Sequence, residues 1–169
     1  MAKRTFAVPV FTPTATADGS ALTNATYMAI GAGSATQQLN ILEIFETGQA
    51  ATSAVNIMNF ARDSTLGSGP TALAAPASDG PHQTATAALA AVPITYTAAT
   101  TGPSRSAATT TLRLQVGFNA AGGIVRWKPA PGEEIAIVGQ TASVSECSLS
   151  AYTGGNVGPM AAHIMYEPL

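Results

Sequence analysis

The residues with most potential for chemistry are one cysteine and two histidines. Nucleophilic catalysis needs a Cys or Ser activated by a base that a third group orients. Cys147, His163 and Glu146 are the combination whose members lie on neighbouring predicted strands. Glu146 and Cys147 are consecutive in one strand and point to opposite faces. They cannot build that site together.

The sequence also predicts no metal site and no pair of catalytic acids. A zinc site needs about four ligands, and neither His82 nor His163 has a cysteine or acid at ligand spacing. Glu133 and Glu134 are consecutive and would project to opposite faces, which does not suit a pair of catalytic carboxyls. We interpret them as part of a solvated turn.

Three short runs resemble fragments of binding loops. Asp18-Gly19 and Asp79-Gly80 lack the alternating oxygen ligands of a calcium loop. Gly31-Ala32-Gly33 lacks the third glycine and the following helix of a dinucleotide-binding fingerprint. We interpret the two Asp-Gly runs as turns and the Gly-Ala-Gly run as a break after a strand. The sequence therefore predicts no catalytic, cofactor-binding or metal-binding residues, and a protein that is not an enzyme.

The composition excludes further classes of function. The chain has 169 residues, of which 9% are charged, and a net charge of -2; an average soluble domain has about 25% charged residues. Its seven basic residues are scattered from Lys3 to Lys128, so no nucleic acid is expected as partner. No apolar run of membrane-spanning length or signal core is found, which predicts no membrane and synthesis in the cytoplasm. Low charge favours association.

The elements that position these residues are predicted to be short strands. Phe6, Val8 and Val10 alternate as in a half-buried strand, and prolines place this strand (Pro9) and a later one (Pro93) at sheet edges. The alternation at 112–118, the turn at 119–123 and the apolar run at 124–128 together predict a hairpin.

Residues 39–46 leave two interpretations open. Apolar residues occur at both parities, which favours a strand covered on both faces, with a short helix as the alternative. Glu43 and Glu46 would be neighbours on that helix. On a strand they would face opposite ways.

The regular spacing of strands and Gly/Pro turns predicts an all-β fold, an antiparallel β-sandwich or jelly-roll-like barrel. We expect one β domain, 1–169, with long irregular excursions at 64–92 and 98–110. Such long excursions are usually functional or disordered. The first is interpreted either as an arm that reaches over a neighbouring subunit or as a solvated loop.

Three segments carry a resemblance to a known family: FNAAGGIVRW (118–127), PGEE (131–134) and SLSAYTGG (148–155). They resemble virion proteins of tailed bacteriophages, in particular the small head proteins that decorate or cement an icosahedral capsid. The resemblance implies a homotrimer on the capsid exterior, bound to the major capsid protein through extended arms. It implies no active-site residues.

Contact with partners is therefore the predicted function. The candidate interface residues are basic or aromatic: Lys3, Arg4, Arg126, Trp127, Lys128 and Tyr152. Aromatic residues and arginine are enriched at interfaces, although Trp127 also suits core packing. The alternatives are a tail or neck component of the virion and a carbohydrate-binding adhesion module.

Overall fold

The structure, a computed structural model, describes residues 5–12, 23–32, 36–63, 71–73, 91–95, 112–138, 147–152 and 158–169. Within these residues the regular structure consists of eleven β-strands and no helix. The strands are β1 (Phe6–Thr12), β2 (Thr23–Ala32), β3 (Gln38–Gln49), β4 (Val55–Arg62), β5 (Thr71–Ala72), β6 (Ala91–Thr95), β7 (Leu112–Asn119), β8 (Ala121–Trp127), β9 (Ile135–Val138), β10 (Cys147–Tyr152) and β11 (Met160–Pro168).

The strands of the described residues form two antiparallel sheets. Sheet A has the order β1-β11-β3-β8, and β9 pairs with β3 on the same edge as β8. Sheet B has the order β5-β6-β2-β10-β4-β7. The predicted all-β fold is confirmed, and the helix alternative for residues 39–46 is wrong because these residues form the centre of sheet A. The finer assignment to a sandwich or jelly roll stays a prediction.

One hydrophobic core receives side chains from both sheets. The Phe6 and Tyr166 rings stack with centroids 5.5 Å apart, which joins the edge strand β1 to its neighbour β11. Sheet A contributes Phe6, Val8, Val10, Leu39, Ile41, Ile44, Ile137, Met160, Ala162, Ile164 and Tyr166, and sheet B contributes Tyr27, Met28, Ile30, Met58 and Phe60. Burial of this apolar surface is the main stabilising contribution to such a fold.

The predicted hairpin at 112–128 is wrong. Its two strands lie in different sheets, because β7 pairs with β4 in sheet B and β8 pairs with β3 in sheet A. Ala120 makes the corner between them: its N–H donates to the carbonyl of Ala54 at 2.8 Å and its carbonyl accepts from the N–H of Ala50 at 2.9 Å. The chain therefore crosses between the sheets at two adjacent places, which these hydrogen bonds join.

Close approach at this corner requires a glycine. A Cβ added to Gly48 of β3 would lie 2.2 Å from the carbonyl oxygen of Ala120 and 2.7 Å from that of Asn119. Both are backbone atoms, which cannot move aside like the end of a flexible side chain. Gly48 is thus a packing requirement of the corner.

A tight turn follows β8, with Pro131 and Gly132 at its centre. The N–H of Glu133 donates to the carbonyl of Ala130 at 2.9 Å, and Gly132 has a φ of 89°. Pro131 followed by a glycine with positive φ is the pattern of a type II turn. The Glu134 carboxylate accepts from the N–H of Gly132 at 2.9 Å, which ties that side chain to the turn.

The edge-strand predictions have different outcomes. β1, with Pro9, is an outermost strand of sheet A, as predicted. β6, with Pro93, is not outermost, because β5 pairs with it. β5 reaches only Ile94 and Thr95, so Pro93 pairs with β2 alone among the described residues. Pro93 has no backbone N–H to donate, and it lies at a position of β6 that β5 does not reach.

The predicted excursions fall mainly outside the described residues. Residues 64–70, 74–90 and 98–110 are not described. The first excursion, 64–92, is not irregular throughout, because Thr71–Ala72 forms β5 and Ala91 begins β6. These two strands pair with each other in sheet B.

Candidate interaction face

The surface of sheet A that points away from the core is a grid fixed by strand register. Residues paired across neighbouring strands point to the same face of a sheet. Following the pairs from β1 through β11 and β3 to β8 gives three rows on this surface. They are Ala7, Met165 and Glu43; Pro9, His163, Phe45 and Arg126; and Phe11, Ala161, Thr47 and Ile124. We call this set the outer face.

A β-bulge in β3 decides which of its side chains belong to the outer face. The pairing of β3 with β11 skips Leu42. An extra residue exchanges the inward and outward positions that follow it. Ile41 is buried in the core before the bulge and Ile44 after it. Phe45 therefore points outward although it has the parity of Ile41. The mixed parity of residues 39–46 comes from this bulge.

Large apolar side chains stand at both ends of one row of the outer face. Phe11 on β1 is 61% exposed and Ile124 on β8 is 66% exposed. Between them lie Ala161 and Thr47, both half-buried. Four strands at a spacing of about 4.8 Å make this row about 14 Å wide. Exposed apolar residues that continue across a sheet in this way mark an interaction site more often than isolated ones do.

One ion pair supplies the polar centre of the outer face. Nη2 of Arg126 donates to Oε2 of Glu43 at 2.8 Å, with the arginine side chain 61% exposed and the glutamate side chain 12% exposed. The hydrogen bond that Arg126 donates to the Glu43 carboxylate raises the pKa of Arg126 above its ordinary value. The pair cancels its own charge, so these two residues add no net charge to the outer face.

A shallow open groove of about 390 Å³ crosses the outer face beside this ion pair. It is lined by Glu43, Phe45, Thr47, Ala161, Ala162 and His163. The Phe45 ring is half-buried and His163 is its cross-strand partner. The groove thus combines an aromatic wall with carboxylate, imidazole and hydroxyl groups.

The four predicted interface residues within the described part of the chain do not lie on one surface. Arg126 belongs to the outer face, and Lys128 is exposed just beyond β8. Trp127 is half-buried and packs against the core, as its alternative interpretation required. Tyr152 ends β10, which lies in sheet B. Lys3 and Arg4 lie outside the described residues.

The apolar members of the outer face were not among the interface residues predicted from the sequence. Phe11 directly follows the alternating residues of β1, at the parity that should face water, and Ile124 occupies the same parity as exposed Arg126. A large apolar residue at a solvent parity was the available signal. Phe45 gave no such signal, because its outward position depends on the bulge at Leu42.

Two members of the catalytic combination considered from the sequence, His163 and Cys147, lie on strands that do not pair. His163 lies on β11 in sheet A and Cys147 on β10 in sheet B, so their strands are not neighbours, contrary to the prediction. The strands that flank β10 are β2 and β4. His82, Glu146, Asp18 and Asp79 lie outside the described residues.

The described part of the chain contains no group of three or more His, Cys, Asp or Glu residues placed to hold a metal ion. No helix within that part is long and apolar enough to span a membrane.

The comparisons with known proteins yield no relative. No protein-family model matches the chain, no curated protein matches it, and no solved structure matches its fold.

Proposed function

We propose that this chain is a virion structural protein that decorates or cements the icosahedral capsid of a tailed bacteriophage. In this proposal it acts by contact, as a homotrimer on the capsid exterior that binds the major capsid protein. The proposal starts from the likeness of residues 118–127, 131–134 and 148–155 to such proteins. The outer face of sheet A is the observation that carries it further.

The outer face suits a partner because it leaves apolar surface in water. Phe11 and Ile124 are more than half exposed at the two ends of one row. Covering such side chains contributes about 25 cal/mol for each Å² removed from water. The Glu43–Arg126 pair lies within the same surface and offers a fixed polar contact. Few charges elsewhere in the chain oppose association.

Mass spectrometry of purified virions tests the location. A decoration protein is expected at copy numbers comparable to those of the capsid lattice. Absence from virions contradicts the proposal, and a few copies for each particle would favour the tail or neck alternative. Sedimentation analysis of the free protein tests the trimer.

A matched pair of variants tests the outer face. Ile124→Asp places a charge in the surface that is to be covered, and we expect it to weaken binding to capsid shells at least about tenfold. Val55→Asp is the control, because Val55 is 68% exposed on β4 of sheet B, away from the outer face. Thermal unfolding of both variants checks that they fold. Equal binding by the two would remove the outer face from the proposal.

A carbohydrate-binding module is the second candidate, and the groove beside Phe45 favours it. Sugar rings stack on aromatic faces, and their hydroxyls need acceptors such as the Glu43 carboxylate. A glycan array tests this directly. The expected result is binding that Phe45→Ala abolishes, and no binding on the array would discard this candidate.

A further inference from the structure

The second glutamate of β3 lies in an environment that does not suit its charge. Glu46 is 1% exposed, and its Oε2 atom is buried with no hydrogen-bond partner. Its cross-strand neighbours are Ala162 on β11 and Val125 on β8, neither of which can donate a hydrogen bond from its side chain. A buried carboxylate oxygen that lacks a hydrogen-bond partner is costly for a core to hold.

On the described strands around Glu46, no basic side chain donates a hydrogen bond to its Oε2 atom. Arg62 of β4 is half-buried, and its Nη2 donates to the carbonyl of Ala136 at 3.4 Å. Ala136 pairs with Asn40, six positions before Glu46 on β3, which is a distance of about 20 Å along the strand. Arg62 therefore lies at the end of the core opposite to Glu46.

The other ionisable side chains on β2, β3, β8 and β11 make no hydrogen bond to Oε2 of Glu46. They are Glu43, Arg126 and His163 on the outer face, Tyr166 and Glu167 toward the end of the core where Arg62 lies, and Tyr27, whose hydroxyl donates to the carbonyl of Gly158 at 2.6 Å. Burial raises the pKa of Tyr27 to about 12, so its phenol stays neutral. Burial also raises the pKa of the Glu46 carboxyl, to about 8.

We infer that Glu46 is a pH-sensitive element of the core: a neutral carboxylic acid in the folded protein, whose ionisation loosens sheet A. The charged form must reach water, and the nearest sheet edge is β8, the outermost described strand on that side of β3. Phe45 and Thr47 flank Glu46 and carry the centre of the outer face. Ionisation of Glu46 thus disturbs the outer face from beneath. The inference stands whether or not the proposed function does.

The sign of the effect follows from proton binding. Below the ordinary glutamate pKa of 4.5 the folded and unfolded chains both hold this proton, so Glu46 has no influence on pH dependence. Between 4.5 and about 8 only the folded chain holds it, and stability falls as the pH rises. Above about 8 the folded chain also loses the proton, and the full penalty is reached.

Thermal unfolding of wild type, Glu46→Gln and Glu43→Gln between about pH 5 and about pH 9 tests the inference. Glutamine has the shape of the neutral acid and does not titrate. We expect the Tm of wild type and of Glu43→Gln to fall across this range, and the fall to be largely absent in Glu46→Gln. Parallel profiles for wild type and Glu46→Gln would overturn the inference.

Carbon NMR of the wild type keeps the test decisive if Glu46→Gln does not fold. The chain has six glutamates, and their side-chain carboxyl resonances can be followed together during a pH titration. One of them should titrate near pH 8. If every glutamate titrates below about pH 6, the inference is wrong.

Discussion

Glu43 and Glu46 lie three residues apart on one strand, and their surroundings differ in almost every respect. Glu43 points to the outer face, where Arg126 donates to it at 2.8 Å. Glu46 points into the core, where its Oε2 has no partner. Both are 9% exposed or less as whole residues, so burial alone does not distinguish them. What distinguishes them is whether a cation reaches the same face.

The two faces of β3 differ in the same way for apolar residues. Ile44 is 1% exposed and belongs to the core, whereas its neighbour Phe45 is half-buried in the groove of the outer face. The inner face therefore holds the fold together, and the outer face is available for contact. Substitutions on β3 can test this division of roles.

The largest effect is expected from Ile44→Ala. Removing this fully buried side chain should lower the free energy of unfolding by about 2–5 kcal/mol, because burial is lost and a cavity remains. Phe45→Ala removes a larger side chain but should cost clearly less, since its ring is partly in water already. Urea denaturation measures both. A greater loss from Phe45→Ala would contradict the assignment of the faces.

The pH dependence of Glu46 is the next effect in size. Its slope should approach about 1.4 kcal/mol for each pH unit between the two pKa values, the limit for one proton bound in the folded state alone. The free energy of unfolding from urea titrations at several pH values gives this slope. Glu43 lies on the same strand but points to the outer face, so Glu43→Gln is the matched control.

A smaller loss is expected where β3 meets the corner. Gly48→Ala would place a Cβ against backbone atoms of Ala120, and we expect destabilisation of about 1–3 kcal/mol from overpacking. Gly117→Ala is the control, because the nearest atom to a Cβ there is 3.9 Å away. Denaturation curves should separate the two variants. Equal stabilities would show that the corner has room.

The smallest effect on stability is expected from the outer-face ion pair. Arg126→Ala removes a side chain that is 61% exposed, and exposed ion pairs contribute little. We expect a slight loss that added salt reduces, because salt screens exposed charges. Thermal unfolding at low and high salt measures it. A loss as large as that of Ile44→Ala would mean that the outer face contributes to the core.

The strands were predictable wherever the signal is local. The alternation of Leu112, Leu114, Val116 and Phe118 gives a strand whose residues are alternately half-buried and exposed. The proline and glycine at 131–132 give the turn that is observed. Which of Trp127 and Arg126 faces the core could not be predicted in the same way, because it depends on the pairing of β8 with β3.

The sequence by itself determined the all-β class of the fold, and where turns such as Pro131-Gly132 occur, because two-residue periodicity and turn chemistry are properties of neighbouring residues. Only the tertiary structure decided how those strands pair. Leu112–Asn119 and Ala121–Trp127 separate into two sheets because β4 and β3 offer them partners distant in the chain. The bulge at Leu42 likewise exists only in the pairing of β3 with β11, and it sets Phe45 outward and Glu46 inward.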